Sequence, residues 1–184
     1  MIFYLSENKL ENLCLEYNLE SQTFKSYLKK VFQSVEIEKK GVSFRLINEN
    51  KEITEHYQKI LKKLDETGVF HTLSSVSHVM PYHYYSLAGR LKYIGEECPK
   101  KFQQGSVLKY IVIPFDRELL EEITIQCSVE NILILGREKC GDTFIYRQNS
   151  LGDLISGVSC GTMMIFLTEI VGNCGKGSPL IIRI

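Results

Sequence analysis

A surplus of basic residues is the first thing missing from this chain of 184 residues. Lys plus Arg and Asp plus Glu number 22 each, for a formal net charge of zero. A dedicated nucleic-acid binder draws most of its affinity from phosphate neutralisation, so the balance disfavours that class. Zero net charge also weakens colloidal repulsion and favours self-association or a protein partner.

Close cysteine pairs are missing too. Cys14, Cys98, Cys127, Cys140, Cys160 and Cys174 include no C-x-x-C, which removes the usual zinc, redox and iron–sulfur spacings. Disulfide frameworks belong to small Cys-dense domains, and four of the six cysteines sit inside apolar stretches, as reduced buried thiols do. A reducing, cytoplasmic setting is expected.

No apolar run is long enough for a membrane helix. The longest uncharged apolar stretch runs from Leu154 to Leu167, between Asp153 and Glu169, and a bilayer span needs about 20 residues. The start, Met1-Ile2-Phe3-Tyr4-Leu5-Ser6-Glu7, has no basic opening and no long apolar core, so no signal peptide is expected. Repeats, low-complexity linkers and Pro/Gly/Ser-rich boundaries are absent, which predicts one globular domain over 1–184. At this size about 70% of the unfolded chain's surface is buried on folding.

What is present reads as alternating elements. Residues 1–5 are rich in β formers and predict a buried strand. Ser6 is placed to cap a helix in which Leu10, Leu13, Cys14 and Tyr17 recur at helical spacing. A second helix is expected over 21–33, a hairpin over 35–46 around Gly41, and a third helix over 51–66 closed by Gly68. Strands are expected over 84–94 and 107–113, a short acidic helix over 117–126, and strands over 132–135 and 143–146. A buried helix from about Leu154 to Val171 and a final strand over 180–184 complete the reading. Strands that cluster instead of alternating with helices predict an α+β fold, a mostly antiparallel sheet packed with about four to five helices.

Four constellations could carry chemistry. Gly157-Val158-Ser159-Cys160-Gly161 matches the G-x-S-x-G elbow of α/β-hydrolases, with Ser159 as nucleophile. All four histidines, His56, His71, His78 and His83, precede it, whereas that fold places its His afterwards. Gly172-Asn173-Cys174-Gly175-Lys176-Gly177-Ser178 has phosphate-loop composition without phosphate-loop spacing, and suits a turn better. A cysteine nucleophile, Cys160 or Cys140, would need a base brought in by the fold.

The fourth is the densest, His71 to Arg90, with three histidines and three tyrosines. Its histidine spacing matches no metal pattern. Tyr and His do pair an apolar body with a polar tip, and Arg90 adds a planar cation suited to phosphate or carboxylate. The expected ligand-binding set is Tyr82, His83, Tyr85 and Arg90. Alternation along a strand sets His83 and Tyr85 against Tyr82 and Arg90, and Gly89 could mark a bulge or a close approach.

The opening Ile2-Phe3-Tyr4-Leu5-Ser6 with Lys9-Leu10 resembles the start of small uncharacterised bacterial proteins, some of them encoded beside antiviral defence genes. The resemblance stops with that segment and brings no site residues. It implies an accessory role in a bacterial or phage defence system. From the residues themselves, the expected function is a non-enzymatic cytoplasmic binding or assembly protein, acting through a protein partner or a homo-oligomer. The alternatives are a small-ligand module, for instance for a nucleotide, and a hydrolase using Ser159 or a cysteine. No metal or cofactor is expected.

Overall fold

The computed structural model describes residues 1–18, 36–39, 42–45, 62–149 and 151–184. The α+β expectation is overturned, because the described chain is mostly strand. The strands are β1 (Ile2–Leu5), β2 (Glu36–Lys39), β3 (Val42–Arg45), β4 (Phe70–Thr72), β5 (Tyr84–Tyr93), β6 (Lys101–Gln103), β7 (Val107–Pro114), β8 (Glu122–Ser128), β9 (Gly136–Cys140), β10 (Thr143–Arg147), β11 (Val158–Val171) and β12 (Cys174–Arg183). The α-helical segments among the described residues are α1 (Glu7–Glu16), residues 62–66 and the short α2 (Asp153–Ser156).

Five strands close a barrel. β5, β7 and β8 form an antiparallel meander, β11 pairs with β5, and β12 pairs with β11. The ring shuts where the first half of β12 runs parallel to β8, from Cys174 opposite Glu122 to Gly177 opposite Ile125. A meander followed by a hairpin that returns to close the ring through one parallel pair is the connectivity of the OB-type Greek-key barrel. The second half of β12 pairs instead with β1, and β4 adds to β5. A separate sheet has the order β2-β3-β9-β10-β6.

The corrections follow from what covers each strand. The stretch read as a helix over 154–171 is only helical at Asp153–Ser156, and then becomes the long strand β11. Met163, Ile165 and Leu167 belong to the barrel core, while Met164 and Phe166 belong to a second core outside it. Both faces are covered, so polar alternation disappears and the run looks like a buried helix. The acidic helix read over 117–126 is irregular chain up to Glu121 and then β8, whose Ile123, Ile125 and Cys127 are buried.

Residues 132–135 are buried but form no strand beyond a bridge between Tyr4 and Ile132. The final strand starts at Cys174, six positions before the expected Leu180. Of the 35–46 hairpin, the two strands are present as β2 and β3, paired in register with Glu36 opposite Arg45, and the turn at Gly41 lies outside the described residues. The helix expected over 21–33 and most of that over 51–66 lie outside the described residues. Gly68 follows 62–66 at φ +73, as a C-terminal glycine cap does.

Two features of β12 prepare the site. Met164 pairs with Ile181 and Ile165 with Pro179, so Leu180 is an extra residue and β12 bulges there. Pro179 has no N–H to give a ladder, and it sits where β12 changes partner from β8 to β1. The bulge turns two carbonyls toward α1. The Ser6 N–H donates to Leu180 O at 2.9 Å, and Lys9 Nζ donates to Pro179 O at 3.1 Å.

Candidate functional site

The four residues singled out in the sequence are distributed along β5 and the loop before it. Tyr82 stands in that loop at φ +63 with 71% of its surface exposed, its N–H donating to Leu167 O at 2.7 Å. His83 is next to it, with Nδ1 3.1 Å from Pro81 O. The His83 ring lies 5.4 Å from that of His71, which is 5.6 Å from that of Tyr85. His71 Nε2 is buried with no hydrogen-bond partner among the described residues.

Tyr85 points inward. It is fully buried, and its hydroxyl accepts the Met80 N–H at 3.0 Å. Arg90 is exposed on the outer face, in register with Cys160 and Ile113. At about 3.3 Å per residue it stands roughly 20 Å along the chain from His83. The structure thus joins His83, Tyr85 and His71, keeps Tyr82 beside them, and sets Arg90 apart.

The other motifs take structural places. Ser159 is the second residue of β11, opposite Leu91, and not at a strand-to-helix elbow. Gly172 and Asn173 form the two-residue turn between Val171 and Cys174, with Gly172 at φ +59, as a type II′ hairpin requires. Gly89 marks a close approach and not a bulge, since its pairing with Gly161 continues without a shift. Among the described residues no three His, Cys, Asp or Glu side chains gather as a metal site. No described helix is long and apolar enough to cross a membrane.

All six cysteines are free, three buried or half-buried and Cys140, Cys160 and Cys174 exposed. Burial pushes the Cys14 thiol up to about 11 and raises Cys127 and Cys98 as well. Thiolate is the reactive form. An aromatic disulfide reagent is therefore expected to react quickly at the three exposed thiols and slowly at Cys14 and Cys127, reaching six in denatured, unreduced protein. A denatured count of four or fewer would establish disulfides.

Elsewhere the described residues form a concave site, a groove between α1 and the outer faces of β5, β11 and β12. Leu10, Leu13 and Cys14 seat the helix against Met164, Leu180 and Ile181, each large side chain contributing roughly 1.5–3 kcal/mol on burial. Helical spacing then brings Lys9, Asn12, Leu13 and Glu16 to one side of α1. With Tyr84, Phe166, Ser178 and Leu180 they line a cavity of about 270 Å³. Tyr84, Phe166 and Ser178 form one row across three strands. The Tyr84 and Phe166 rings are 4.7 Å apart at 44°.

The groove is polarised. At one end Lys9 Nζ donates to Ser178 Oγ at 2.5 Å and to Pro179 O at 3.1 Å. Burial lowers its pKa, with a smaller opposing effect from Cys127. No carboxylate among the described residues is paired with it. At the other end, burial and then the charges of Glu16 and Tyr17 push the Tyr84 hydroxyl up to about 12.

Sequence reasoning missed this site because its members come from three distant segments. The one available signal was Lys9 on the same helical side as Leu13 and Glu16. Compared with known proteins, the chain matches no protein-family model, no curated protein and no solved structure.

Proposed function

We propose that this is a non-enzymatic binding protein that takes a small organic ligand in the groove between α1 and the barrel. The observation that carries the reading is the make-up of the cavity: an apolar, partly aromatic floor with a few polar groups at its ends, near the lower size limit of small-molecule sites. The pKa values of Lys9 and Tyr84 are both perturbed there, as at many functional sites. The unpaired thiols support a reducing compartment such as the cytoplasm.

Nucleic acid is the weaker fit. The outward side chains of β7 and β8 include Lys109, Ile111, Ile113, Glu122, Thr124 and Gln126, with no aromatic ring on which a base could stack. A protein partner or second copy is a further reading, favoured by the exposed Phe115, Val158 and Val171. Apolar side chains exposed singly are common on monomers, so they carry less than the groove does.

The test is a screen of small aromatic and aliphatic acids, alcohols and amines, read by the NMR resonances of the Tyr84 and Phe166 rings. Asn12 lines the groove from the exposed side of α1, so Asn12→Trp would fill it with little effect on the fold. Binders are expected to shift both rings and to lose at least tenfold in affinity in Asn12→Trp at unchanged thermal stability. The reading fails if no compound moves the rings, or if binding survives the substitution intact.

A further inference from the structure

We infer that the groove selects small monoanionic carboxylates with a flat apolar body, the carboxylate at Lys9 and the body on Tyr84 and Phe166. This rests on the groove being the working site and adds the class of ligand. The starting point is the charge on Lys9. Its ammonium has three N–H donors, and Ser178 Oγ and Pro179 O take two of them. Both acceptors are neutral, and none of the described carboxylates pairs with the ammonium. A half-buried cation that meets only two neutral acceptors among the described residues is most favourably completed by an anion, because charge-assisted hydrogen bonds are the strong ones.

The remaining residues narrow the choice. Glu16 lines the other end of the same cavity, about 10 Å further along α1 at 1.5 Å per residue. A second negative charge on the ligand would meet it, which disfavours dicarboxylates. The groove lining contains a single cation and no Arg fork, a poor match for a dianionic phosphate, which usually recruits several charged donors. Between the two ends, Leu13, Tyr84, Phe166 and Leu180 offer an apolar, partly aromatic surface on which a ring can stack. A cavity of about 270 Å³ holds on the order of ten waters at roughly 30 Å³ each. That is close to the heavy-atom count of a ring carrying a short acid tail.

Three probes with one body separate the groove from its charge preference: 3-phenylpropionate, 3-phenylpropanol and 3-phenylpropylamine. Each is titrated against the wild-type protein and against Lys9→Met, which keeps an apolar stem and removes the charge. The acid is expected to bind at least tenfold more tightly than the alcohol, and the amine more weakly than either. Lys9→Met is expected to weaken the acid far more than the alcohol, so that the acid's tenfold advantage is lost. The comparison on wild-type protein holds even if the variant proves unstable.

Acid and alcohol binding equally, both with shifts in the Tyr84 and Phe166 rings, would overturn the anion preference and leave the groove standing. If none of the three moved those rings and other compounds did, the anion preference would also be wrong. If nothing at all moved them, both readings would go. A para-phenylene diacetate that bound as tightly as 3-phenylpropionate would remove the role given to Glu16.

Discussion

Ile165→Asp is expected to unfold the barrel, while Thr162→Asp on the same strand is expected to cost less than about 1 kcal/mol. Ile165 is fully buried in the barrel core, in register with Tyr85 on one side and Pro179 on the other. An aspartate there loses the apolar contacts and leaves a carboxylate with no cation in the core cluster around it. An uncompensated buried charge costs about 3–5 kcal/mol, a large part of the roughly 5–15 kcal/mol by which a domain is stable. Thr162 is exposed and lies on the opposite face of β11. In a helix, positions 162 and 165 would share a face, so the pair of substitutions separates strand from helix. Urea unfolding followed by circular dichroism gives both values. Equal costs, or an Ile165→Asp protein within 1 kcal/mol of wild type, would contradict the strand and its barrel.

That contrast shows where the fold was legible in the sequence. β5 and β7 were read with nearly their observed limits, β5 because one face is core and the other is wet, as in Leu87, Gly89 and Leu91 against Ala88, Arg90 and Lys92, and β7 as an apolar run ending at Pro114. β11 was not, since α1 and the second core replace water on its outer face and erase the period of two. β8 is a different failure. Its alternation of Ile123, Ile125 and Cys127 with Thr124 and Gln126 is plain in the chain, but the stretch 117–126, with Glu118, Glu121 and Glu122, was taken together as a short acidic helix.

The candidate groove was hidden for a physical reason too. Lys9, Tyr84, Phe166 and Ser178 meet only through strand register and the Leu180 bulge, and neither is written in local spacing. The residues chosen instead, Tyr82, His83, Tyr85 and Arg90, were picked for chemistry within one segment. A strand seven residues long already carries its ends about 20 Å apart.

The second large effect is expected at Gly161, from a single methyl group. Gly161 faces Gly89 across β11 and β5. A Cβ on Gly161 would overlap the carbonyl oxygen of Arg183 and come within 3.1 Å of Ile184 Cα, while one on Gly89 would lie 2.5 Å from Ile113 O. All the obstructing atoms are backbone, so no side chain can swing aside to relieve them. The glycine pair therefore marks a tight corner of the barrel, where β7 and β12 press in on β5 and β11.

In an unobstructed site where the backbone suits alanine, Gly→Ala stabilises by about 0.4–1 kcal/mol, through the unfolded chain. Gly161→Ala should reverse that sign and destabilise by at least the roughly 1–3 kcal/mol typical of overpacking. The shift would propagate into β12, which carries Ser178, Pro179 and Leu180 at the groove. Gly161→Ala is thus expected to lower the urea midpoint and also to move the ring resonances of Tyr84 and Phe166. Gly105 sits at φ +84 with open space around it, so Gly105→Ala should cost about 1–2 kcal/mol from its left-handed backbone alone and leave those resonances in place. A Gly161→Ala protein as stable as wild type would mean that β11 and β12 do not approach so closely, and the barrel corner drawn from them would be wrong.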